Sequence, residues 1–329
     1  MDPLVSVLIP TYNRSQMLRR ALGSVLMQSY PKLEVLVSDN HSTDDTPATI
    51  AEFVRRDPRI RHLKSPQGNT SAMLNIRNAL VAATGKYAVV LADDDFFLDY
   101  RYIEEGVGIL ESRRVGLLVC DCVLGRPQRE VTSLGLDPVT SGRVFFLNYW
   151  RGKYSVPVIS NLFDVKMARR CNPWADPTIL YADVELWLKM MTLTDVAYYG
   201  YPAVFYHFHG RNIVSRISLA MHRQNVRFIE NAAQFAAAVF GQPAILDWKK
   251  DMFVEYWQLL LKEGKWPGLK DLACFRAVLG LDHERLGSRR WLRLLEYMRR
   301  HYVRAAGQTF QRGKLNPAPD MDDLQPSGF

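Results

Sequence analysis

The stretch Val5-Ser-Val-Leu-Ile-Pro-Thr-Tyr-Asn-Arg14 decides the fold. Its first five residues form a short β-branched apolar run that stops at a proline, which is typical of a strand buried in a parallel sheet. Similar runs follow at 33–38, 60–63, 87–91 and 115–120, and helical periods separate them at 15–27, 45–56, 70–83 and 101–113. This alternation predicts a doubly wound, mostly parallel α/β sheet with helices on both faces and right-handed crossovers.

Beyond these repeats the pattern changes three times. Residues 123–178 are irregular and predict loops and edge strands, before a helix that begins near Thr178. Helical periods then dominate 216–315, whereas 316–329 has too few apolar residues to pack and is predicted to be disordered. We therefore expect one domain at 1–215, with halves at about 1–122 and 123–215, followed by a helical region and a tail.

Composition excludes several classes of protein. The 329 residues are 48% hydrophobic and 23% charged, which is typical of a globular chain. No window approaches the ~18 apolar residues of a membrane-spanning helix, and the N-terminus lacks the features of a secretory signal, so we predict a cytoplasmic protein. The four cysteines have neither disulfide-framework nor zinc spacing and are predicted to be reduced thiols.

The net charge of +8 lies almost wholly in the C-terminal third, where residues 211–315 hold 19 basic and 9 acidic side chains. This excess favours an anionic partner. Its most basic part, 288–304, has the pattern of an amphipathic helix. Such a helix either packs on neighbouring helices or a second subunit, or attaches peripherally to an anionic membrane such as the inner face of the plasma membrane. Nucleic-acid binding is not favoured, because no recognition module accompanies the charge.

Two polar loops directly follow predicted strands. In the loop after the first strand, the ring of Tyr12 and the guanidinium of Arg14 are suited to hold a base and a phosphate. After the second strand, Asp39 lies where its carboxylate could accept an N–H group of a nucleobase. The Ser, Thr and Asp residues behind it are explained equally well by capping of the next helix.

The acidic run Asp93-Asp94-Asp95 follows the fourth predicted strand. Adjacent like charges repel one another, so a fold concentrates them where a cation neutralises them. A hard divalent cation fits this requirement. The alternative is a solvated acidic turn that caps a helix, and the position after a buried strand favours the metal.

Further candidates lie later in the chain. Asp183 and Glu185 stand near the start of a helix about 200 degrees apart, so only one can face a given substrate atom. Negative charge in a first helical turn is also favourable by itself. His207 and His209 alternate as on a strand and are either structural or ligands of metal or phosphate.

Together these segments resemble the family 2 glycosyltransferases, inverting enzymes on the nucleotide-sugar-binding GT-A fold. The resemblance is nearly continuous through 5–14, 21–31 and 34–44, includes the acidic run, and extends weakly to about 215. It implies a nucleotide-diphosphate sugar of UDP, dTDP or GDP type as donor, a glycan, glycolipid or other hydroxyl acceptor, and Mn²⁺ or Mg²⁺. It makes 1–122 the donor half and 123–215 the acceptor half.

The resemblance also implies roles for individual residues. Asp183 matches the catalytic base. The metal role falls to Asp94, with Asp95 or Asp93 beside it, and His209 matches a further metal ligand of some members. The donor contacts are Pro10, Thr11, Tyr12, Arg14, Asp39 and Asp93. Three features depart from the family pattern. Ala92 replaces the first aspartate of the DxD motif, and Ala182 replaces the glutamate before the base. The Arg-Asn pair usual on the third helix is not in register, with Asn75, Arg77 and Asn78 nearby.

Two other functions compete with this one. A sugar nucleotidyltransferase would share the fold class and the metal, but it requires a glycine-rich basic loop where Pro10-Thr-Tyr-Asn-Arg14 stands. A non-catalytic binding or scaffold protein would share the fold without the chemistry. Retention of both Asp94 and Asp183 argues against it.

Overall fold

The structure is a computed structural model that describes residues 2–66, 71–125, 130–150, 154–156, 159–209, 212 and 218–262. The predicted basic helix at 288–304, the predicted tail at 316–329 and Cys274 lie outside the described residues.

Ten strands and ten helices make up the described part of the chain. The strands are β1 (Val5–Thr11), β2 (Leu33–Asp39), β3 (Ile60–Lys64), β4 (Tyr87–Val90), β5 (Phe96–Phe97), β6 (Leu117–Leu124), β7 (Glu130–Val131), β8 (Val139–Thr140), β9 (Leu162–Asp164) and β10 (Val196–Tyr206). The helices are α1 (Ser15–Leu26), α2 (Thr46–Arg56), α3 (Ala72–Ala82), α4 (Tyr102–Arg113), α5 (Gly142–Leu147), α6 (Val165–Arg170), α7 (Ala182–Met190), α8 (Leu219–Asn225), α9 (Arg227–Phe240) and α10 (Gln242–Lys262).

The main path of the sheet has the strand order β3-β2-β1-β4-β9-β6-β10-β5. β1 pairs in parallel with β2 and β4, β2 with β3, and β6 with β10. The predicted mostly parallel α/β sheet is therefore confirmed, and its five predicted strands are β1, β2, β3, β4 and β6. The expectation of only loops and edge strands over 123–178 is wrong, because β9 lies inside the sheet between β4 and β6 and pairs antiparallel with both.

Alternate side chains of β1 enter two hydrophobic clusters on opposite faces of the sheet. Val5, Val7 and Ile9 pack with α1, α2 and α4. Leu8 belongs to the other cluster, which also contains side chains of α3, α7, α9 and α10. Full burial on both faces explains why this strand is apolar at nearly every position. Helices α9 and α10 thus share a core with the sheet.

The described cysteines, Cys120, Cys122 and Cys171, are free and buried. Burial raises the pKa of the Cys120 and Cys171 thiols to about 12 and that of Cys122 to about 11. The prediction of free thiols thus agrees with the structure at these three positions. None of the helices in the described ranges has the length and apolar character needed to cross a membrane.

The carboxyl ends of β1, β2 and β4 meet at one edge of the sheet. Thr11 stands in register with Asp39, and Leu8 with Val90. Backbone bonds continue this alignment into the loops, since Asn40 N donates to Thr11 O at 3.0 Å and Leu91 N donates to Leu8 O at 3.0 Å. Ligands of open α/β sheets bind at such an edge.

Candidate active site

The acidic run and the first loop form one hydrogen-bonded cluster. Arg14 Nη1 donates to Asp93 Oδ1 at 2.8 Å and to Asp94 Oδ2 at 2.6 Å. Thr11 Oγ1 donates to Asp93 Oδ2 at 2.8 Å. The three carboxylates at 93–95 are at most 8% exposed. Arg14 therefore serves as counter-ion to buried carboxylates, whereas the sequence placed it on a donor phosphate.

The end of β10 closes the other side of the cluster. His209 Nε2 lies 3.0 Å from Asp94 Oδ2, and the backbone N–H of His207 donates to Asp95 Oδ1 at 2.9 Å. The two imidazole rings contact each other, with centroids 5.1 Å apart. Arg20 Nη2 lies 3.4 Å from His207 Nδ1. Burial, aided by Arg20 and His209, lowers the pKa of His207.

The acidic cluster holds more negative charge than Arg14 neutralises. Burial raises the pKa of Asp93 to about 6, against the opposing effect of Arg14. Burial and the charge of Asp94 raise the pKa of Asp95 well above its usual value. A cation added here would lower both pKa values and stabilise the ionised forms.

The acidic cluster offers oxygen and nitrogen donor atoms to a divalent cation. As arranged, the described residues contain no group of three or more His, Cys, Asp or Glu side chains poised to hold a metal ion. However, Asp95 Oδ2 is buried without a hydrogen-bond partner in the described structure. Carboxylate oxygens of Asp94 and Asp95 with one imidazole of His209 form a donor set suited to Mn²⁺ or Mg²⁺. They fit such an ion provided that Arg14 releases Asp94.

Asp39 ends β2 and lies beside the loop that follows β1. Asp39 Oδ1 accepts from Ser42 N at 3.1 Å and Ser42 Oγ at 2.6 Å, and Asp39 Oδ2 lies 3.7 Å from His62 Nε2. Although burial opposes it, these groups lower the pKa of Asp39, so the carboxylate is ionised. Tyr12 lies in the adjacent loop and is 54% exposed, with its ring free to meet a base. Pro10 lies within β1 and offers only its backbone.

A polar side chain that sequence reasoning did not assign ties these loops together. Asn75 is buried on α3, and its Nδ2 donates to Ser38 O at 2.8 Å and Thr11 O at 3.3 Å. Ser38 Oγ donates back to Asn75 Oδ1 at 2.5 Å. The signal that could have revealed it is an asparagine on the buried face of an amphipathic helix.

Asp183 lies in the first turn of α7, not on the strand edge that carries the acidic run. Burial raises its pKa to about 6 against the effect of the Val184 and Asp183 backbone N–H groups. Burial raises the pKa of the Tyr206 phenol, and the negative charges of Asp95, Asp94 and Asp183 raise it further. The phenol of Tyr206 thus lies within electrostatic range of both the acidic cluster and Asp183.

Glu185 has a structural environment. Lys189 Nζ donates to Glu185 Oε1 at 2.5 Å, and Asn231 Nδ2 donates to Glu185 Oε2 at 3.0 Å. Both carboxylate oxygens thus have partners within the helical layer.

The fold and this cluster define a GT-A type protein. Residues 6–156, a little under half of the chain, match the family model for glycosyl transferase family 2. The GalNAc(5)-diNAcBac-PP-undecaprenol beta-1,3-glucosyltransferase of Campylobacter jejuni is 34% identical over 96 residues, which cover 29% of this chain and 31% of that protein. The chondroitin synthase of Pasteurella multocida is 35% identical over 94 residues, or 29% of this chain and 10% of that protein. The aligned part is thus a third or less of each relative.

Two solved structures have the same fold at low sequence identity. Staphylococcus aureus TarS 1–349 in complex with UDP superposes with a TM-score of 0.65 at 14% identity, covering 96% of this chain and 94% of that one. The mannosyltransferase PcManGT of Pyrobaculum calidifontis, in complex with GDP-Man and Mn²⁺, gives 0.52 at 19% identity, covering 95% and 89%. At such identities the likeness shows the fold alone, and it confirms the predicted GT-A architecture.

Proposed function

We propose that this chain is an inverting glycosyltransferase that moves a sugar from a nucleotide-diphosphate sugar to an acceptor hydroxyl. One observation carries the proposal. The carboxyl ends of β1, β2 and β4 bring Thr11, Asp39 and the acidic run to one edge of the sheet, where Thr11 Oγ1 donates to Asp93 Oδ2.

The donor is held by the two loops. We assign the base to the surface between Tyr12 and Asp39, because the ionised carboxylate accepts hydrogen bonds and the ring offers a stacking face. The diphosphate then points toward the acidic cluster. Arg14, with one guanidinium nitrogen already between Asp93 and Asp94, is close enough to turn toward phosphate oxygens.

Asp94, Asp95 and His209 would hold a divalent cation, which supplies charge neutralisation for the departing diphosphate. Release of Arg14 from Asp94 would free both groups for their roles in binding. The PcManGT complex contains Mn²⁺ with GDP-Man, which supports this assignment by analogy of fold.

Asp183 is the proposed base. It accepts the proton of the acceptor hydroxyl as that oxygen attacks the anomeric carbon, and the bond from this carbon to the diphosphate oxygen breaks. A pKa of about 6 leaves Asp183 ionised at neutral pH and more basic than an ordinary aspartate. A single displacement inverts the anomeric centre.

We place the catalytic domain at 1–215, with the helices at 218–262 packed on it. A glycan or glycolipid acceptor is supported by the undecaprenol-linked and chondroitin chemistry in the relatives' names. Attachment to an anionic membrane, or a homodimer, through the helix predicted at 288–304 is a further part of the proposal. A scaffold role is not favoured, because burying three adjacent carboxylates with Arg14 as their counter-ion destabilises a fold that gains no chemistry from them.

The experiment is a donor screen. UDP-, GDP- and dTDP-sugars are tested with Mn²⁺, with Mg²⁺ and with excess chelator, by thermal stabilisation and then by release of nucleoside diphosphate. We expect one nucleotide class to stabilise the protein only with the cation. Full activity in excess chelator would contradict the metal assignment, and binding without any turnover would favour the scaffold.

A further inference from the structure

A buried polar cluster outside the proposed active site joins α8 and α10 to the start of α7. His222, Asn225 and Tyr256 are 0%, 0% and 1% exposed. Tyr256 Oη lies 2.7 Å from His222 Nδ1 and accepts from Asn225 Nδ2 at 3.1 Å. Buried polar groups destabilise a fold unless they are hydrogen-bonded, so we expect every member of this cluster to have a hydrogen-bond partner.

The partner is the backbone immediately before α7. Asn225 Oδ1 accepts from Leu180 N at 2.8 Å and from Tyr181 N at 2.9 Å. Tyr181 is the N-cap residue of α7 and makes no side-chain cap hydrogen bond. The first amides of a helix have no partner within it, and a cap from a neighbouring segment satisfies the same need. Asn225 therefore supplies from α8 the acceptor at this helix entry.

A second tie holds the same segment. Arg227, the first residue of α9, places Nη2 at 2.7 Å from Asp176 Oδ2 and at 2.5 Å from Thr178 Oγ1. Residues 176–181 are thus fixed to the helical layer at both ends. The proposed base, Asp183, stands two residues beyond Tyr181.

We propose that Asn225 is a positioning residue for Asp183, an inference that rests on the proposed function. By accepting from the Leu180 and Tyr181 amides, Asn225 fixes where α7 begins and therefore where the Asp183 carboxylate lies. Tyr256 holds the amide in the orientation that presents Oδ1 to these two N–H groups. Proton transfer requires the base within hydrogen-bond reach, and a misplacement of about 1 Å can cost about 100-fold in rate.

The first test measures the cap itself. Asn225→Leu has similar shape and no acceptor, whereas Asn225→Asp keeps an acceptor that Tyr256 Oη can donate to. Amide hydrogen exchange at Leu180 and Tyr181 should quicken at least about tenfold in Asn225→Leu and stay slow in Asn225→Asp. Asn231→Leu is the matched control, because Asn231 contacts Glu185 further along α7 and leaves these two amides bonded. Should Asn225→Leu fail to fold, Asn225→Ala replaces it.

The second test measures function with UDP-GlcNAc and GDP-Man as donor probes. Turnover is expressed per nucleotide-binding site, so that a smaller fraction of folded protein is not mistaken for a lower kcat. We expect Asn225→Leu to lower kcat about 10- to 100-fold with donor KM unchanged, and Asn225→Asp to restore most of it. Equal turnover in the Leu and Asp variants would overturn the proposal.

A double-mutant cycle shows whether Asn225 acts through Asp183. In an Asp183→Asn background, Asn225→Leu should lower the residual rate by less than about twofold, because coupled positions are not additive. A full additive loss overturns the positioning role. If Asp183→Asn alone keeps wild-type turnover, the assignment of Asp183 as the base is wrong. This outcome distinguishes failure of the proposed base from failure of the positioning role of Asn225. Absence of binding and turnover with both donors overturns both.

Discussion

The carboxyl of Asp183 should destabilise the fold that holds it, and its removal should show this. Burial raises its pKa from 3.8 to about 6, so the folded protein binds a proton here more tightly than the unfolded chain does. Above pH 6 the folded state carries an ionised carboxylate in an unfavourable place. Asp183→Asn keeps the shape and removes the charge, so it should stabilise the protein while it abolishes the proposed base.

The size of this effect follows from the shift. About two pKa units at 1.36 kcal/mol each set an upper limit of roughly 3 kcal/mol. Because Asp183 keeps partial solvent exposure, we expect about 1–2 kcal/mol. Because the pKa of Asp183 is higher in the folded protein than in the unfolded chain, its ionisation lowers the free energy of unfolding. The penalty is absent below about pH 3.8, grows as pH rises to 6, and is then constant.

The assay is urea unfolding of wild type and Asp183→Asn at pH 4, 5 and 8. The gain in unfolding free energy should be near zero at pH 4 and largest at pH 8. Glu185→Gln is the matched control, because losing the charge that pairs with Lys189 should destabilise the protein at pH 8. A gain that is the same at all three pH values, or a loss at pH 8, would refute the assignment of a buried, high-pKa carboxyl.

In kinetics, wild-type kcat should fall below about pH 6 as the base takes up its proton.

Three further changes test the acidic cluster. Asp94→Ala should abolish transfer and weaken nucleotide binding in Mn²⁺ at least about tenfold while the circular dichroism spectrum is unchanged; unaltered nucleotide affinity in a titration would count against it. Arg14→Gln removes the cation that bridges Asp93 and Asp94. Without nucleotide, Mn²⁺ should therefore bind several-fold more tightly, as measured by electron paramagnetic resonance, while nucleotide affinity falls. Weaker Mn²⁺ binding would mean that Arg14 does not compete with Mn²⁺ for these carboxylates. His209→Ala should raise the Mn²⁺ concentration for half-maximal activity several-fold, and an unchanged requirement would return His209 to a structural role.

The sequence was sufficient to predict those parts of the fold whose local pattern matches their environment. β1 and β2 lie between two hydrophobic clusters, so nearly every side chain is buried and the apolar run is continuous. β9 escaped prediction because three residues carry no readable period and its partners, β4 and β6, lie far away along the chain. Helix α7 begins at Ala182 rather than near Thr178, since Thr178 bonds to Asp176 and Asn225 bonds to the amides at 180–181.

The site was predictable as a set of residues but not as a set of contacts. The position of Asp39 and Asp93 after strands was enough to bring them to one edge of the sheet. The Arg14 pairing with Asp93 and Asp94 was not, because it depends on where a flexible side chain turns once both loops are in place. Helical spacing showed only that Asp183 and Glu185 face different directions. The partners Lys189 and Asn231 show which of them is structural.

The central claim is sugar transfer with inversion, and the anomeric configuration of the product tests it most directly. The wild-type protein, Mn²⁺ and an α-linked nucleotide sugar from the donor screen are followed by proton NMR, and the first anomeric signal of the transferred or hydrolysed sugar is recorded before mutarotation. A single displacement assisted by Asp183 predicts a β-configured sugar and a matching amount of nucleoside diphosphate. An α-configured product, or no nucleoside diphosphate with any bound donor, would contradict it.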